Sequence, residues 1–72
     1  MAQSHVAANV RAEMARRGTT QLQIAALLDT SRESVRRRLH GTVTFRIDEL
    51  QKIAQYLDIP LLDLVDDEKA SA

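Results

Sequence analysis

The stretch Gln21-Leu-Gln-Ile-Ala-Ala-Leu-Leu-Asp-Thr-Ser-Arg-Glu-Ser-Val-Arg-Arg-Arg-Leu-His-Gly41 holds two short helices and the turn between them. Thr20, just ahead of it, offers a side-chain oxygen to the free N–H groups of a first helical turn. In the helix that follows, Leu22, Ala25, Ala26 and Leu28 fall close to one face, with Gln21 and Gln23 at the exposed start. Asp29 and Thr30 have no place on an apolar stripe, and aspartate tolerates left-handed backbone better than most residues, so the chain turns there. Ser31 caps a second helix in which Val35 and Leu39 lie four residues apart on one side, while Arg32, Glu33, Arg36 and Arg37 project elsewhere. Gly41 ends it.

Upstream, Val6, Val10 and Met14 recur every four residues with Ala7 and Ala8 among them, which predicts a helix over 4–17 stopped by Gly18. Arg16 and Arg17 fall in its last turn, where cations suit the helix dipole or are simply solvated. Downstream, the β-branched linker 42–46 carries Phe45, placed to fold back over the next helix as a hydrophobic staple. Ile47, Leu50, Ile53, Ala54 and Leu57 then trace one apolar face, with Asp48 and Glu49 in the first turn. Pro60 disfavours helical geometry at Ile59 and opens a final short helix, Leu61 to Val65. The expectation is an all-α domain of five helices over 6–65, with a flexible start, 1–5, and an acidic, small-residue tail, 66–72.

Seventy-two residues support one core, since a chain this short buries only about 60% of its unfolded surface. There is no cysteine, hence no disulfide or thiolate zinc site, and stability must come from helix packing. No apolar run approaches the roughly 18 residues that cross a bilayer, and the start lacks the basic-then-apolar order of a secretion signal, so a cytoplasmic location is expected. No catalytic constellation, cofactor site or small-molecule site is evident. His5 lies in the expected flexible start and His40 at a helix end, so they form no metal site, and Asp63, Asp66, Asp67 and Glu68 read as a solvated acidic tail.

Formal charge is zero, yet it is segregated: seven arginines against three acids through residue 40 make +4, and three cations against seven acids beyond it make −4. A basic helix behind a tight turn, capped by serine, suits the DNA major groove. Arg32 and Glu33 stand at the end that enters, with Arg36 and Arg37 one turn on. Guanidinium groups match the guanine O6 and N7 acceptors, and a carboxylate accepts from cytosine N4. Arg32, Glu33 and Arg37 are therefore the base-reading candidates, with Arg36 at a base edge or a phosphate. Glu33 has a second role open to it, bracing Arg36 or Arg37. Thr20, Gln21 and Ser31 at the two helix starts, Ser34 within the second, and Thr44 and Arg46 in the linker are the candidates for phosphate and backbone contact.

Gln21, Ala25, the Thr30-Ser31 turn, Val35 and Gly41 stand at intervals that resemble the Cro and lambda-repressor superfamily, also called the xenobiotic-response-element type. Val10 and Gly18 upstream, and Leu50, Ile53, Ala54 and Leu57 downstream, extend the resemblance over roughly residues 6–65. It implies a compact five-helix, lambda-repressor-like fold whose helix-turn-helix is formed by helices 2 and 3. The implied function is sequence-specific regulation of transcription on double-stranded DNA, as a phage-type repressor or Cro-like switch that sits on a palindromic operator as a dimer. The resemblance also implies that the Gln21 amide binds phosphate and buttresses Arg32. Phage repressors often carry glutamines at the positions of Arg32, Glu33 and Arg37, so arginine and glutamate there imply a more G·C-oriented operator.

In the same way, the final helix with Leu61, Leu62, Leu64 and Val65 either completes the core or forms the two-fold interface. Met14 and Leu39 stand where many relatives carry an arginine and a glutamate as a buried ion pair. Replacement of both by apolar groups predicts that they pack together. Asp29 stands in place of a favoured glycine and Thr19 in place of leucine. Arg38 replaces an apolar residue and is expected to lay its stem over the core with its head in water. The alternative within this fold is a protein-interaction module, an antitoxin or regulatory adaptor.

Overall fold

Val6, Val10 and Met14 are buried along one side of α1 (Ser4–Arg17), as their spacing predicts. In the computed structural model, which describes residues 4–66, α1 is followed by α2 (Gln21–Leu28), α3 (Arg32–Leu39), α4 (Ile47–Leu57) and α5 (Leu62–Val65). No strand occurs among the described residues. Residues 1–3 and 67–72, most of the expected flexible start and tail, lie outside them. His5, by contrast, is on the first turn of α1, with Nε2 3.2 Å from the Val65 carbonyl oxygen. One turn on, the buried Asn9 donates Nδ2 to the carbonyls of Leu64 (3.1 Å) and Asp66 (3.0 Å). These carbonyls lie in the last turn and at the cap of α5, where a helix leaves its acceptors open, and α1 side chains satisfy them and tie α1 to α5.

Four helices stop in the same way. Just past each end a backbone N–H reaches back five residues: Thr19 to Met14 (2.9 Å), Thr30 to Ala25 (3.0 Å), Thr42 to Arg37 (3.0 Å) and Ile59 to Ala54 (3.0 Å). That closure needs a left-handed residue just before the donor. Gly18 and Gly41 supply it with φ of 64° and 80°, but Asp29 and Asp58 do so with φ of 55° and 59°. Aspartate accepts this conformation with strain, and its negative charge meets the negative end of the helix dipole. Asp29→Gly is therefore expected to raise stability by about 0.5–1 kcal/mol, a rise in melting temperature of roughly 2–8 °C. An unchanged or lower melting temperature would show that Asp29 makes a compensating local contact.

Two apolar expectations need correction. On α2 the fully buried residue is Ile24, beside Ala25, whereas Leu22 is 64% exposed, Ala26 is exposed and Leu28 is half-buried. This helix is apolar on nearly every side, so its composition does not choose a face; packing against α3 and α4 does. On α4, Leu50, Ile53, Ala54 and Leu57 are buried but Ile47 is 59% exposed. Ile47 is the first helical residue, and Phe45, two residues earlier, enters the core in its place. Phe45 and Leu50 thus occupy the two positions of the expected staple. Met14 and Leu39 share the core cluster and the floor of one cleft, in line with the replacement of an ion pair by packing.

Candidate nucleic-acid interface

Local capping places α2 and α3 before any tertiary contact is counted. Thr20 Oγ1 accepts from the Gln23 N–H at 3.1 Å, and Gln23 Oε1 accepts from the Thr20 N–H at 2.7 Å, a reciprocal capping box. Ser31 Oγ accepts from the Ser34 N–H at 3.0 Å and starts α3 in the same manner. Between them Asp29 and Thr30 make the turn, and α2 packs directly on α3.

With Val35 and Leu39 buried, helical periodicity turns Glu33 and Arg37 straight outward, with Arg32 and Arg36 on one flank and Ser34 on the other. Arg32, Glu33, Arg36 and Arg37 are all exposed. Glu33 is held by its neighbours: Arg36 donates Nε to Oε1 (3.0 Å) and an amino nitrogen to Oε2 (2.7 Å), and Arg37 Nε lies 3.4 Å from Oε2. The hydrogen bond from Arg36 is the main reason the Glu33 carboxyl sits below its ordinary pKa, with the charges of Arg36 and Arg37 adding to it; the same bond raises Arg36. Because the shift is downward, the pair persists at neutral pH and is lost only as pH falls through the lowered carboxylate value.

Gln21 is half-buried on the wall of a cleft of about 270 Å3 floored by Met14 and Leu39, with Arg11, Thr19 and His40 also lining it. Gln21 and Thr20 also share a shallow cleft with Arg32 and Leu22, so the start of α2 adjoins the start of α3. Ser31, Thr44 and Arg46 are exposed, and Arg46 Nε is 3.2 Å from Asp48 Oδ1.

Arg38 departs from expectation. Its head is not in water: Nε donates to Glu49 Oε1 at 3.0 Å, and the two side chains are only 16% and 14% exposed. A second guanidinium nitrogen donates to the Ser34 carbonyl (3.1 Å) and to the Ser34 hydroxyl oxygen, which positions the hydroxyl expected at a phosphate and leaves its own O–H to donate. Glu49 Oε1 also accepts from the Arg46 N–H at 2.9 Å, which caps α4. The first turn of α4 lies beside α3, so the guanidinium meets a carboxylate before it meets solvent.

Other arginines are also used internally. Arg11 donates to the Leu39 carbonyl at the end of α3, and Arg17 Nε donates to the Leu57 carbonyl at the end of α4 (2.9 Å). The buried Glu13 accepts from Arg16 and Arg17, both at 2.6 Å. The spacing of Glu13 to Arg16 and Arg17 was a legible signal for those pairs; nothing local pointed Arg11 or Arg17 at distant carbonyls. Much of the basic excess before residue 41 therefore braces helix ends, and among the described residues Arg32, on the flank of α3, has no charged partner.

The family model described as Helix-turn-helix matches residues 10–64. The chain belongs to the Cro and lambda-repressor type of helix-turn-helix family. It is a DNA-binding regulator of that kind, with α2 and α3 as the motif. No curated protein and no solved structure gives a significant match. Among the described residues of this helix-turn-helix protein, no helix is long and apolar enough to cross a membrane, and no three His, Asp or Glu side chains converge as a metal site.

Proposed function

We propose that this helix-turn-helix protein is a sequence-specific transcriptional regulator that occupies a palindromic, G·C-oriented operator as a dimer and acts as a repressor or Cro-like switch. The observation that carries the proposal is the outward face of α3, where Arg32, Arg36 and Arg37 stand behind a serine cap at the end that enters a major groove. Arg32 and Arg37 read guanine edges, Arg36 lies at a base edge or phosphate, and Thr20, Gln21, Ser31, Ser34, Thr44 and Arg46 meet the backbone on either side. An operator covered in this way excludes polymerase by bulk, which favours repression.

The dimer reading rests on α5. Leu64 belongs to the core and has no surface to offer a second copy, which corrects its inclusion in the expected interface. Leu62 is 65% exposed beside half-buried Leu61 and Val65, a small apolar patch suited to a second copy.

Selection from random duplexes at several salt concentrations tests this reading. A palindromic site is expected to emerge, with log affinity falling linearly against log salt. Arg32→Ala and Arg37→Ala are each expected to weaken operator binding by about 1–3 kcal/mol and to relax one base position. Binding indifferent to sequence and to both arginines would overturn it and favour a protein partner.

A further inference from the structure

We propose that Glu33 reads no base itself but restrains Arg36 and Arg37, suppressing attachment to non-operator DNA and so determining specificity. The proposal rests on the DNA-binding reading above and concerns how that surface discriminates.

Glu33 stands at the centre line of the outward face, where a carboxylate approaches the phosphates of any duplex and is repelled by them. A cytosine N4 donor is one way to offset that. The structure shows another: both oxygens are engaged by Arg36, and Oε2 also by Arg37. All three side chains are about half exposed, so the pairs are individually weak. A weak, exposed clamp is suited to discrimination. Phosphates alone, present on every sequence, must compete with Glu33 for the two arginines. An operator adds base-edge acceptors in the right register and opens the clamp. The internal pair of Arg38 with Glu49 removes a fourth arginine of α3 from such competition. Among the described residues of α3, Arg32 is the arginine outside these ion pairs and is available for first encounter.

The experiment compares wild type, Glu33→Ala, Glu33→Gln and Glu33→Ala with Arg36→Ala, each on the selected operator and on a scrambled duplex, as a function of salt. Both single changes fall at an exposed helical position, and circular dichroism is the check that the fold is kept. The expected result is that Glu33→Ala and Glu33→Gln bind the scrambled duplex about tenfold more tightly near 0.1 M salt, with a salt slope steeper by about 1. The ratio of operator to scrambled affinity narrows, and adding Arg36→Ala reverses most of the gain. If scrambled affinity and slope stay unchanged while discrimination is lost at one base pair, Glu33 is a base reader and the proposal is overturned. A wild-type protein that binds no duplex would overturn the DNA-binding reading instead.

Discussion

Ile24→Ala is expected to lower the stability of the domain by about 3 kcal/mol, the middle of the range for an isoleucine truncated in a packed core. Ile24 is fully buried where α2 meets α3 and α4, and it lies in the same cluster as Val10, Val35, Ile53 and Leu64. The total stability of a 72-residue domain is about 4–11 kcal/mol, so this one cavity removes a large share of it. In thermal denaturation the midpoint should fall by roughly 12–24 °C. Leu22→Ala, two residues away on the exposed side, should change stability by less than about 0.5 kcal/mol. A small effect at Ile24 and a large one at Leu22 would mean that α2 buries the opposite face, as its sequence pattern first suggested.

Arg38→Ala is expected to cost about 2 kcal/mol. The estimate lies below the usual 3–5 kcal/mol for breaking a fully buried pair because some exposure remains at both side chains. The loss has a specific origin. Glu49 stays beneath α3 with one strong donor gone, and the Ser34 carbonyl and hydroxyl lose theirs. Glu49 still caps α4 through the Arg46 N–H, so a neutral acceptor in its place keeps that bond. Combining Arg38→Leu with Glu49→Gln should therefore cost clearly less than the sum of the two single changes, with a coupling of about 1–2 kcal/mol in urea denaturation. Additive losses would show that the pair contributes no mutual stabilisation and that Arg38 acts through its packed stem alone.

The two predictions mark where sequence reading reached its limit. Ile24 was missed because Leu22, Ile24, Ala25, Ala26, Leu27 and Leu28 leave α2 almost without a polar side. Period alone cannot orient such a helix. Arg38 was misplaced because its partner, Glu49, is eleven residues away and belongs to the next helix. By contrast, the outward residues of α3 were legible: strongly polar Arg32, Glu33, Arg36 and Arg37 against only Val35 and Leu39 make an unambiguous face. The contact between Glu33 and the following arginines was legible for a related reason, since residues three and four apart on a helix are neighbours.

Everything governed by short separations along the chain was already present in the order of residues. That includes the five helices, the Thr20 and Ser31 caps, the left-handed stops at Gly18, Asp29 and Gly41, and the spacing that marks the helix-turn-helix family. These features arise from backbone dihedral preference and hydrogen bonds within a few residues, which sequence specifies directly. Only the folded chain decided which face of α2 is buried, which of Leu61, Leu62, Leu64 and Val65 enters the core, and which arginines of α3 remain exposed. Those outcomes depend on carbonyls and carboxylates brought together across 11 to 40 residues, as with Arg38 and Glu49 or Arg17 and Leu57. A guanidinium takes the acceptor that packing sets beside it, and that neighbour exists only once the helices have docked.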